Sequence, residues 1–198
     1  MSHYYTNDSS LVSEERIIEY TFRDTKVSLF SDLGVFSKDR VDFGTNVLLN
    51  NLPDFPKESR ILDLGCGYGI IGIAIAKGYP DVWVDMIDVN KRAIELVKKS
   101  IKHNHVSRVN VYESDLYAAI NQKYDYIITN PPIRAGKETV HKIIEDSIFY
   151  LNEKGMFWAV IQKKQGAPSF IDKMKNVFGN AQKKCKKNGY YVVFSRKN

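Results

Sequence analysis

The segment Asn130-Pro-Pro-Ile133 places a carboxamide and two consecutive prolines directly after an apolar run. Proline has no N–H group and its ring fixes φ, so the loop presents carbonyl oxygens without competing donors. The carboxamide oxygen of Asn130 is a further acceptor. Acceptors of this kind can bind the hydrogens of an amino group, which makes Asn130, Pro131 and Pro132 candidate catalytic residues. Because the same tripeptide also occurs in ordinary turns, the rest of the chain has to decide.

A glycine-rich segment, Asp63-Leu-Gly-Cys-Gly-Tyr-Gly-Ile-Ile-Gly72, joins a predicted strand to a predicted helix. Its glycines let the backbone approach a ligand at the helix N-terminus. Part of it matches the G-x-G-x-x-G pattern of nicotinamide dinucleotide binding. Asp63 disfavours that interpretation, because a carboxylate there repels a pyrophosphate and attracts an ammonium or a sulfonium. S-Adenosylmethionine carries both cations, so we predict this cofactor, bound by Asp63, Gly65 and Gly67.

Acidic residues also follow the next two predicted strands. The carboxylate of Asp88 can accept both hydroxyls of a ribose, and Val89 beside it is expected to contact the same cofactor. Asp115 can accept from an adenine amino group while Leu116 packs against the ring, although Asp115 alone is also typical of a helix N-cap. The carboxyl ends of parallel strands share one edge of a sheet, so we expect these residues and Asn130 to line one cofactor site.

From residue 60 onward, short apolar runs alternate with segments of helical spacing, which predicts a mostly parallel sheet covered by helices on both faces. The predicted strands are 61–64, 82–87, 109–112, 124–129 and 156–161, and the predicted helices are 70–77, 91–103, 116–120, 138–151 and 169–178. Asn188-Gly189 predicts a closing antiparallel hairpin of residues 181–187 and 190–195. Residues 16–22 and 26–30 predict an N-terminal hairpin, followed by a short helix near 45–50.

The predicted fold class is therefore α/β, a Rossmann-like doubly wound sheet of seven strands that ends in an antiparallel hairpin. We expect residues 1–52 to form a small extension that packs on a domain of residues 53–198. The chain has 198 residues, 43% of them hydrophobic and 26% charged, which suits one globular core. No long apolar segment or targeting peptide is recognised, so a cytoplasmic protein is expected.

The charge of the chain is unevenly distributed. Residues 133–198 contain 14 Lys and Arg against 5 Asp and Glu. Such a basic region predicts a polyanionic partner such as RNA, whereas a lysine-rich solvated surface is the alternative. The run Lys183-Lys-Cys-Lys-Lys187 allows two interpretations, an RNA-binding strip or protection of an edge strand from aggregation. With only two cysteines and the isolated pair His103 and His105, no metal site is predicted.

The order of these motifs resembles the class I S-adenosylmethionine-dependent methyltransferases. More narrowly, three segments resemble the small-subunit ribosomal RNA guanine-N2 methyltransferases and their short single-domain relatives: Gly34-Val-Phe-Ser37, Asp42-Phe-Gly-Thr45 and Asn130-Pro-Pro-Ile-Arg-Ala-Gly-Lys137. The resemblance covers nearly the whole chain and implies methyl transfer to guanine N2 of ribosomal RNA. Longer members have two tandem domains, and this chain has room only for the catalytic one.

Five residues are candidates for binding the substrate. Phe36 and Phe43 are expected in the target pocket, partly by resemblance, although both can instead pack the hairpin onto the core. Arg134 and Lys137 begin the next helix and are placed to meet RNA phosphates. Ile133 stands where many amino-methyltransferases have an aromatic ring that stacks on the target.

The missing ring at Ile133 disfavours adenine N6 and protein glutamine N5 as targets and leaves guanine N2 as the leading prediction. Methylation of those two other nitrogens remains an alternative. A cofactor-binding RNA assembly factor without catalysis and a nicotinamide-dependent dehydrogenase are further alternatives from other classes.

Overall fold

The computed structural model describes residues 14–32 and 40–198. A β-hairpin and a short helix precede a large sheet whose strands alternate with helices. The elements are β1 (Arg16–Phe22), β2 (Thr25–Ser31), α1 (Phe43–Leu49), β3 (Arg60–Leu64), α2 (Ile70–Gly78), β4 (Trp83–Asp88), α3 (Lys91–Asn104), β5 (Val109–Glu113), β6 (Tyr124–Thr129), α4 (Lys137–Tyr150), β7 (Leu151–Gln162), α5 (Ala167–Phe178), β8 (Gln182–Lys187) and β9 (Tyr190–Arg196).

The large sheet has seven strands in the order β5-β4-β3-β6-β7-β9-β8. Neighbours from β5 to β7 are parallel, whereas β9 is antiparallel to both β7 and β8. This arrangement confirms the predicted α/β fold with its antiparallel end and its separate N-terminal hairpin. The direction of strand order reverses between β3 and β6, and ligands of such sheets bind beyond the carboxyl ends of the strands at that point.

Each face of the sheet contributes to its own hydrophobic cluster, because successive strand residues point to opposite faces. Ile61 of β3 packs in a cluster with α1, α2, α3 and the hairpin, whereas Leu62 packs in a cluster with α4 and α5. Both side chains are fully buried. The helices therefore hold the carboxyl ends of the parallel strands in a fixed arrangement.

The N-terminal hairpin packs against α2 and α3 rather than standing apart. Its residues Phe22 and Leu29 belong to the same cluster as the sheet. The backbone N–H of Phe30 donates to Ser100 Oγ (2.9 Å), and buried Asp32 forms an ion pair with Arg92 Nη2 (2.6 Å). The proposed division of the chain between residues 52 and 53 stays a prediction.

The predicted helix at 116–120 is wrong, since the segment forms two successive turns. Leu116 has a left-handed φ of +50°, which interrupts a right-handed helix at its first residue. The Ser114 hydroxyl stabilises the turns by donating to the carbonyl of Leu116 and accepting from the N–H of Ala119. Two apolar side chains, Tyr117 and Ile120, are buried by these turns, so the apolar spacing was satisfied without a helix.

The strand predicted at 156–161 is also longer in the structure. It begins at Leu151, directly after α4, and ends at Gln162. Its register with β6 shifts between Tyr124 and Tyr126: Leu151 pairs with Tyr124 and Met156 pairs with Tyr126, so the polar residues 152–155 have no partner in β6.

Replacement of Gly72 by alanine tests the packing of α2 on the sheet. A Cβ at this position would lie 2.4 Å from Cγ and Sδ of fully buried Met86, and 3.2 Å from Asp63 Oδ2. We expect Gly72→Ala to lower the free energy of unfolding by about 1–3 kcal/mol, measured by urea denaturation. In a Met86→Ala background, Gly72→Ala should cost less than it does in the wild type, because the atoms that the new methyl group meets are gone. Equal stability of Gly72→Ala and the wild type would contradict this packing.

Candidate active site

The glycine loop after β3 is fixed by backbone hydrogen bonds and has open space beside it. The N–H groups of Gly65 and Cys66 donate to the carbonyl of Ile87 at 3.0 and 2.9 Å, which ties the loop to β4. Gly65 has φ +71° and Gly67 has φ +54°, a region that favours glycine. A Cβ at Gly65 would meet no atom within 4 Å. A ligand can therefore approach the backbone here.

Asp63 lies beneath this loop and is completely buried. Its Oδ2 accepts from the N–H of Gly72 at 2.8 Å, whereas its Oδ1 has no hydrogen-bond partner among the described residues. Burial, assisted by the charge of Asp88, raises the pKa of Asp63 to about 7. A buried oxygen without a partner is costly, so the site favours a ligand with a cation or a donor. This arrangement fits the ammonium or sulfonium of S-adenosylmethionine.

Asp88 lies at the end of β4 and is almost completely buried. Its Oδ2 accepts from the N–H of Gly67 at 2.8 Å and its Oδ1 from the N–H of Asn90 at 2.9 Å. The carboxylate thus holds the glycine loop in place. Half-buried Val89 follows it. The ribose role of Asp88 and the cofactor contact of Val89 stay predictions.

Asp115 follows β5 and has an exposed side chain, and half-buried Leu116 packs against the α4 and α5 cluster. The alternative of a helix N-cap at Asp115 is wrong because no helix follows it. The structure brings Asp63, Asp88 and Asp115 to the ends of three neighbouring strands, as the sequence predicts. Contact of Asp115 and Leu116 with an adenine stays a prediction.

Asn130 lies beside the glycine loop and its amide nitrogen is held by the protein. Thr129 Oγ1 donates to the carbonyl of Leu64 at 2.8 Å, which joins the ends of β6 and β3. Asn130 Nδ2 donates to Thr45 Oγ1 at 2.9 Å and to Asp42 Oδ2 at 3.3 Å. A carboxylate only accepts hydrogen bonds, so the NH₂ end of the carboxamide must face Asp42.

The acceptor end of the loop is left without a protein donor. Among residues 14–32 and 40–198, no group donates to Asn130 Oδ1 or to the carbonyl of Pro131. The carbonyl of Pro132 instead accepts from the N–H of Ala135 at 2.9 Å. Pro131 is buried, so the loop is rigid at this point. Two fixed acceptors therefore remain for a ligand.

The Asp42 and Thr45 contacts are the part of the site that sequence reasoning did not assign. Asp42 is the N-cap of α1, and its Oδ1 accepts from the N–H groups of Gly44 (2.9 Å) and Thr45 (3.2 Å). An aspartate just before a short predicted helix indicates a cap. Nothing in the local sequence indicates that the cap faces Asn130.

The candidate substrate residues lie around the same loop. Ile133 is half-buried and opens a single turn of 3₁₀ helix, whereas Arg134 and Lys137 are exposed. Phe43 is 38% exposed, and its ring centroid lies 5.4 Å from that of Tyr190. Phe36 lies outside the described residues. The substrate roles of these residues stay predictions.

Residues 14–32 and 40–198 contain no group of three or more His, Cys, Asp or Glu side chains that could hold a metal ion. In the same ranges, no helix has the length and apolar character required to cross a bilayer.

The sequence of residues 26–194 matches the methyltransferase small domain family. The "Uncharacterized protein YbxB" of Bacillus subtilis is 43% identical over 197 residues, which are 98% of each chain. A ribosomal RNA small subunit methyltransferase C from Haemophilus influenzae is 31% identical over 87% of this chain and 52% of its own. One from Psychromonas ingrahamii is 36% identical over 67% of this chain and 38% of its own. The chain thus spans about half or less of these two longer relatives.

Solved structures share the fold. The T. thermophilus 16S rRNA N2 methyltransferase RsmC, determined in complex with AdoMet and guanosine, superposes with a TM-score of 0.84. It is 23% identical in sequence, and the match covers 95% of this chain and 52% of that one. A methyltransferase from Pyrococcus furiosus superposes with a TM-score of 0.67 over 78% of this chain at 17% identity.

The titration of Asp63 predicts a pH dependence of cofactor binding. Because cationic groups of S-adenosylmethionine favour the carboxylate, the dissociation constant should rise as the pH falls below the pKa of about 7, by up to about tenfold per pH unit. Isothermal titration calorimetry from about pH 5.5 to about pH 8.5 measures this dependence, and Asp63→Asn should lack it.

The same pKa determines whether Asp63 raises or lowers the folding stability of the ligand-free protein as the pH changes. The folded value lies above the value of about 4 for an unfolded chain, so this group lowers stability as the pH rises from about 4 to 7. A cofactor affinity that does not change with pH in the wild type would contradict the assigned role of Asp63.

Proposed function

We propose, since the chain belongs to the methyltransferase small domain family, that it transfers a methyl group from S-adenosylmethionine to an exocyclic amine of RNA. The proposed target is guanine N2 of ribosomal RNA. The names of the ribosomal RNA relatives support ribosomal RNA as the substrate, and the residues around Asn130 support an exocyclic amine as the methyl acceptor.

The orientation of the Asn130 carboxamide is the observation that carries the proposal. Its nitrogen is occupied by Thr45 and Asp42, which leaves Oδ1 as an acceptor. The carbonyl of Pro131 is the second acceptor, one residue further along a rigid loop. Two acceptors suit a group with two N–H bonds, namely a primary amine, and they would not suit a hydroxyl or a carbon nucleophile.

These two acceptors can activate an aromatic amine. The lone pair of such an amine is delocalised into its ring, which makes the nitrogen a poor nucleophile. If Asn130 Oδ1 and the Pro131 carbonyl each hold one N–H, the nitrogen is drawn toward tetrahedral geometry and its lone pair is localised. When bound, S-adenosylmethionine supplies an electrophilic methyl group on a sulfonium. Positioning and fixed dipoles provide the catalysis, and the methylated nitrogen then loses one proton to solvent.

The acidic half of the site suits the proposed cofactor. Asp63, with its unpartnered Oδ1, would hold a cationic group, and Asp88 would accept ribose hydroxyls while it keeps the glycine loop in place. Asp115 and Leu116 would meet the adenine. Gly65 and Gly67 would allow the backbone to approach closely.

Ile133 favours guanine among the possible amines. It is an aliphatic, half-buried residue directly after the two prolines, so it offers no ring for stacking on the target base. Phe43 and Phe36 are the proposed aromatic contacts instead, and Arg134 and Lys137 the proposed phosphate contacts.

Mapping of labelled methyl groups tests the target. Purified protein with isotopically labelled S-adenosylmethionine is added to total RNA and total protein from cells that lack this chain. We expect N2-methylguanosine at one position of ribosomal RNA, identified by mass spectrometry of nuclease fragments. Label in N6-methyladenosine or in a protein glutamine side chain would contradict the guanine assignment.

Substitution of Asn130 and Thr45 tests the proposed mechanism. Asn130→Ala should lower kcat by about 10²–10³, as loss of one preorganised polar group does elsewhere, and change cofactor affinity less than about threefold. Thr45→Val should also lower kcat because Asn130 Nδ2 loses an acceptor, whereas Thr45→Ser keeps a hydroxyl and should retain most of the activity. Near-normal kcat for Asn130→Ala, or equal effects of the two Thr45 variants, would contradict the mechanism.

A further inference from the structure

A group of lysines lies at the free edge of the sheet and at the end of β7. Residues 160–198 contain ten Lys and Arg and one acidic residue, Asp172. Six of these lysines form a set that we call the lysine edge: Lys163, Lys164, Lys183, Lys184, Lys186 and Lys187. All six are exposed. The strongest positive charge of the molecule is thus carried by one edge of the fold.

The sheet register brings part of this lysine edge to the same end of the sheet as Asn130. Lys187 pairs with Tyr190, and Tyr190 pairs with Gln162 at the carboxyl end of β7. The backbone N–H of Lys163 donates to the carbonyl of Gly189 at 2.7 Å, which closes this corner. Because β7 is parallel to β6, its carboxyl end lies beside the end of β6, where the Asn-Pro-Pro loop begins.

A bulge in β8 places two of the lysines on one face. Lys183 pairs with Val193, Cys185 pairs with Val192, and Lys184 between them has no partner in the register. As a result, Lys183 and Lys186 both lie over the ring of Tyr191, with Nζ 5.2 and 6.0 Å from its centroid. Without the bulge, residues three apart on a strand would point to opposite faces.

An aromatic pair connects the Lys187 end of the lysine edge to the candidate site. Tyr190 shares a sheet face with its partner Lys187. Lys183 and Lys186 lie on the opposite face, over Tyr191, so the lysine edge spans both faces. Phe43 follows Asp42, whose carboxylate accepts from Asn130 Nδ2, and the Phe43 ring packs on Tyr190. Phe43 is partly exposed, as is Tyr190. Basic side chains that alternate with accessible aromatic rings are typical of surfaces for single-stranded nucleic acids, where bases stack and phosphates meet lysines.

The positive charges of the lysine edge are not balanced by acidic side chains of the described residues. None of its six members has an ion-pair partner in the described part of the chain, whereas nearby Lys173 pairs with Glu145 and Lys197 pairs with Glu153. Several like charges on adjacent residues repel one another, and a polyanion removes that repulsion when it binds.

We propose that the lysine edge binds the phosphates of a single-stranded RNA segment next to the target nucleotide, with the Phe43 and Tyr190 rings stacking on its bases. This proposal rests on the proposed function and gives this short chain its own RNA-selecting surface. Protection of the β8 edge from aggregation is the competing role of the same lysines.

Charge reversal separates the two roles. The test variant, which we call the β8 variant, replaces Lys183, Lys184, Lys186 and Lys187 by glutamate. The edge strand stays charged, but its charge now repels phosphate. The matched control reverses four exposed lysines at other places, Lys26, Lys102, Lys123 and Lys154, and therefore has the same net charge. Binding of a fluorescent single-stranded RNA of about 16 nucleotides is measured by anisotropy at several salt concentrations.

We expect the wild type and the control to bind this RNA with similar salt dependence. The β8 variant should bind at least about tenfold more weakly near 0.1 M salt, and its slope of log affinity against log salt should be smaller by about 3. Lys163→Gln combined with Lys164→Gln, which leaves β8 intact, should reduce the slope by about 1 to 2. Equal losses in the test and control variants, or aggregation of the β8 variant with unchanged RNA binding, would overturn the proposal.

Methyl transfer and cofactor affinity are measured on the same preparations. Retained affinity for S-adenosylmethionine shows that a variant is folded. A wild type that transfers no methyl group to RNA contradicts the proposed function. If the β8 variant methylates and binds RNA as well as the control does, the RNA-binding role of the lysine edge is contradicted and the proposed function is not.

Discussion

The carboxylate of Asp42 has two tasks, and the candidate active site depends on their combination. It caps α1 through the N–H groups of Gly44 and Thr45, and it accepts from Nδ2 of Asn130. The cap fixes where α1 begins and so where the Thr45 hydroxyl lies, and Thr45 in turn holds the same amide nitrogen. The Asn130 oxygen is thereby left as an acceptor that no side chain of the described fold occupies.

The carboxyl edge of the sheet is divided by charge into two halves. Asp63 and Asp88 lie at the carboxyl ends of β3 and β4, and Asp115 follows β5. These three acids suit a cofactor with an ammonium and a sulfonium. The lysine edge lies beyond β7, where it suits a polyanion. The Asn-Pro-Pro loop follows β6, between these halves in the strand order. A reaction between a cationic methyl donor and a nucleic acid requires such a division, because each partner would be repelled by the other half.

Much of this arrangement was predictable from periodicity, because alternating apolar strands and amphipathic helices determine a parallel sheet and thus which residues share an edge. Two features of the structure could not be predicted from periodicity. The segment after Ser114 forms turns instead of a helix, because Leu116 adopts a left-handed conformation that the side chain of Ser114 stabilises. The contact of Asn130 with Thr45 joins residues 85 positions apart and depends on how α1 packs, which no local pattern specifies.

A crystal structure with S-adenosylhomocysteine, the demethylated cofactor, and a guanosine-containing RNA fragment would show which atoms hold the target amine. We expect guanine N2 within about 3.2 Å of both Asn130 Oδ1 and the Pro131 carbonyl, with Asn130 Nδ2 still hydrogen-bonded to Thr45 and Asp42. A target base whose exocyclic amine lies away from these two oxygens, or an Asn130 carboxamide rotated so that its nitrogen faces the base, would contradict this expectation.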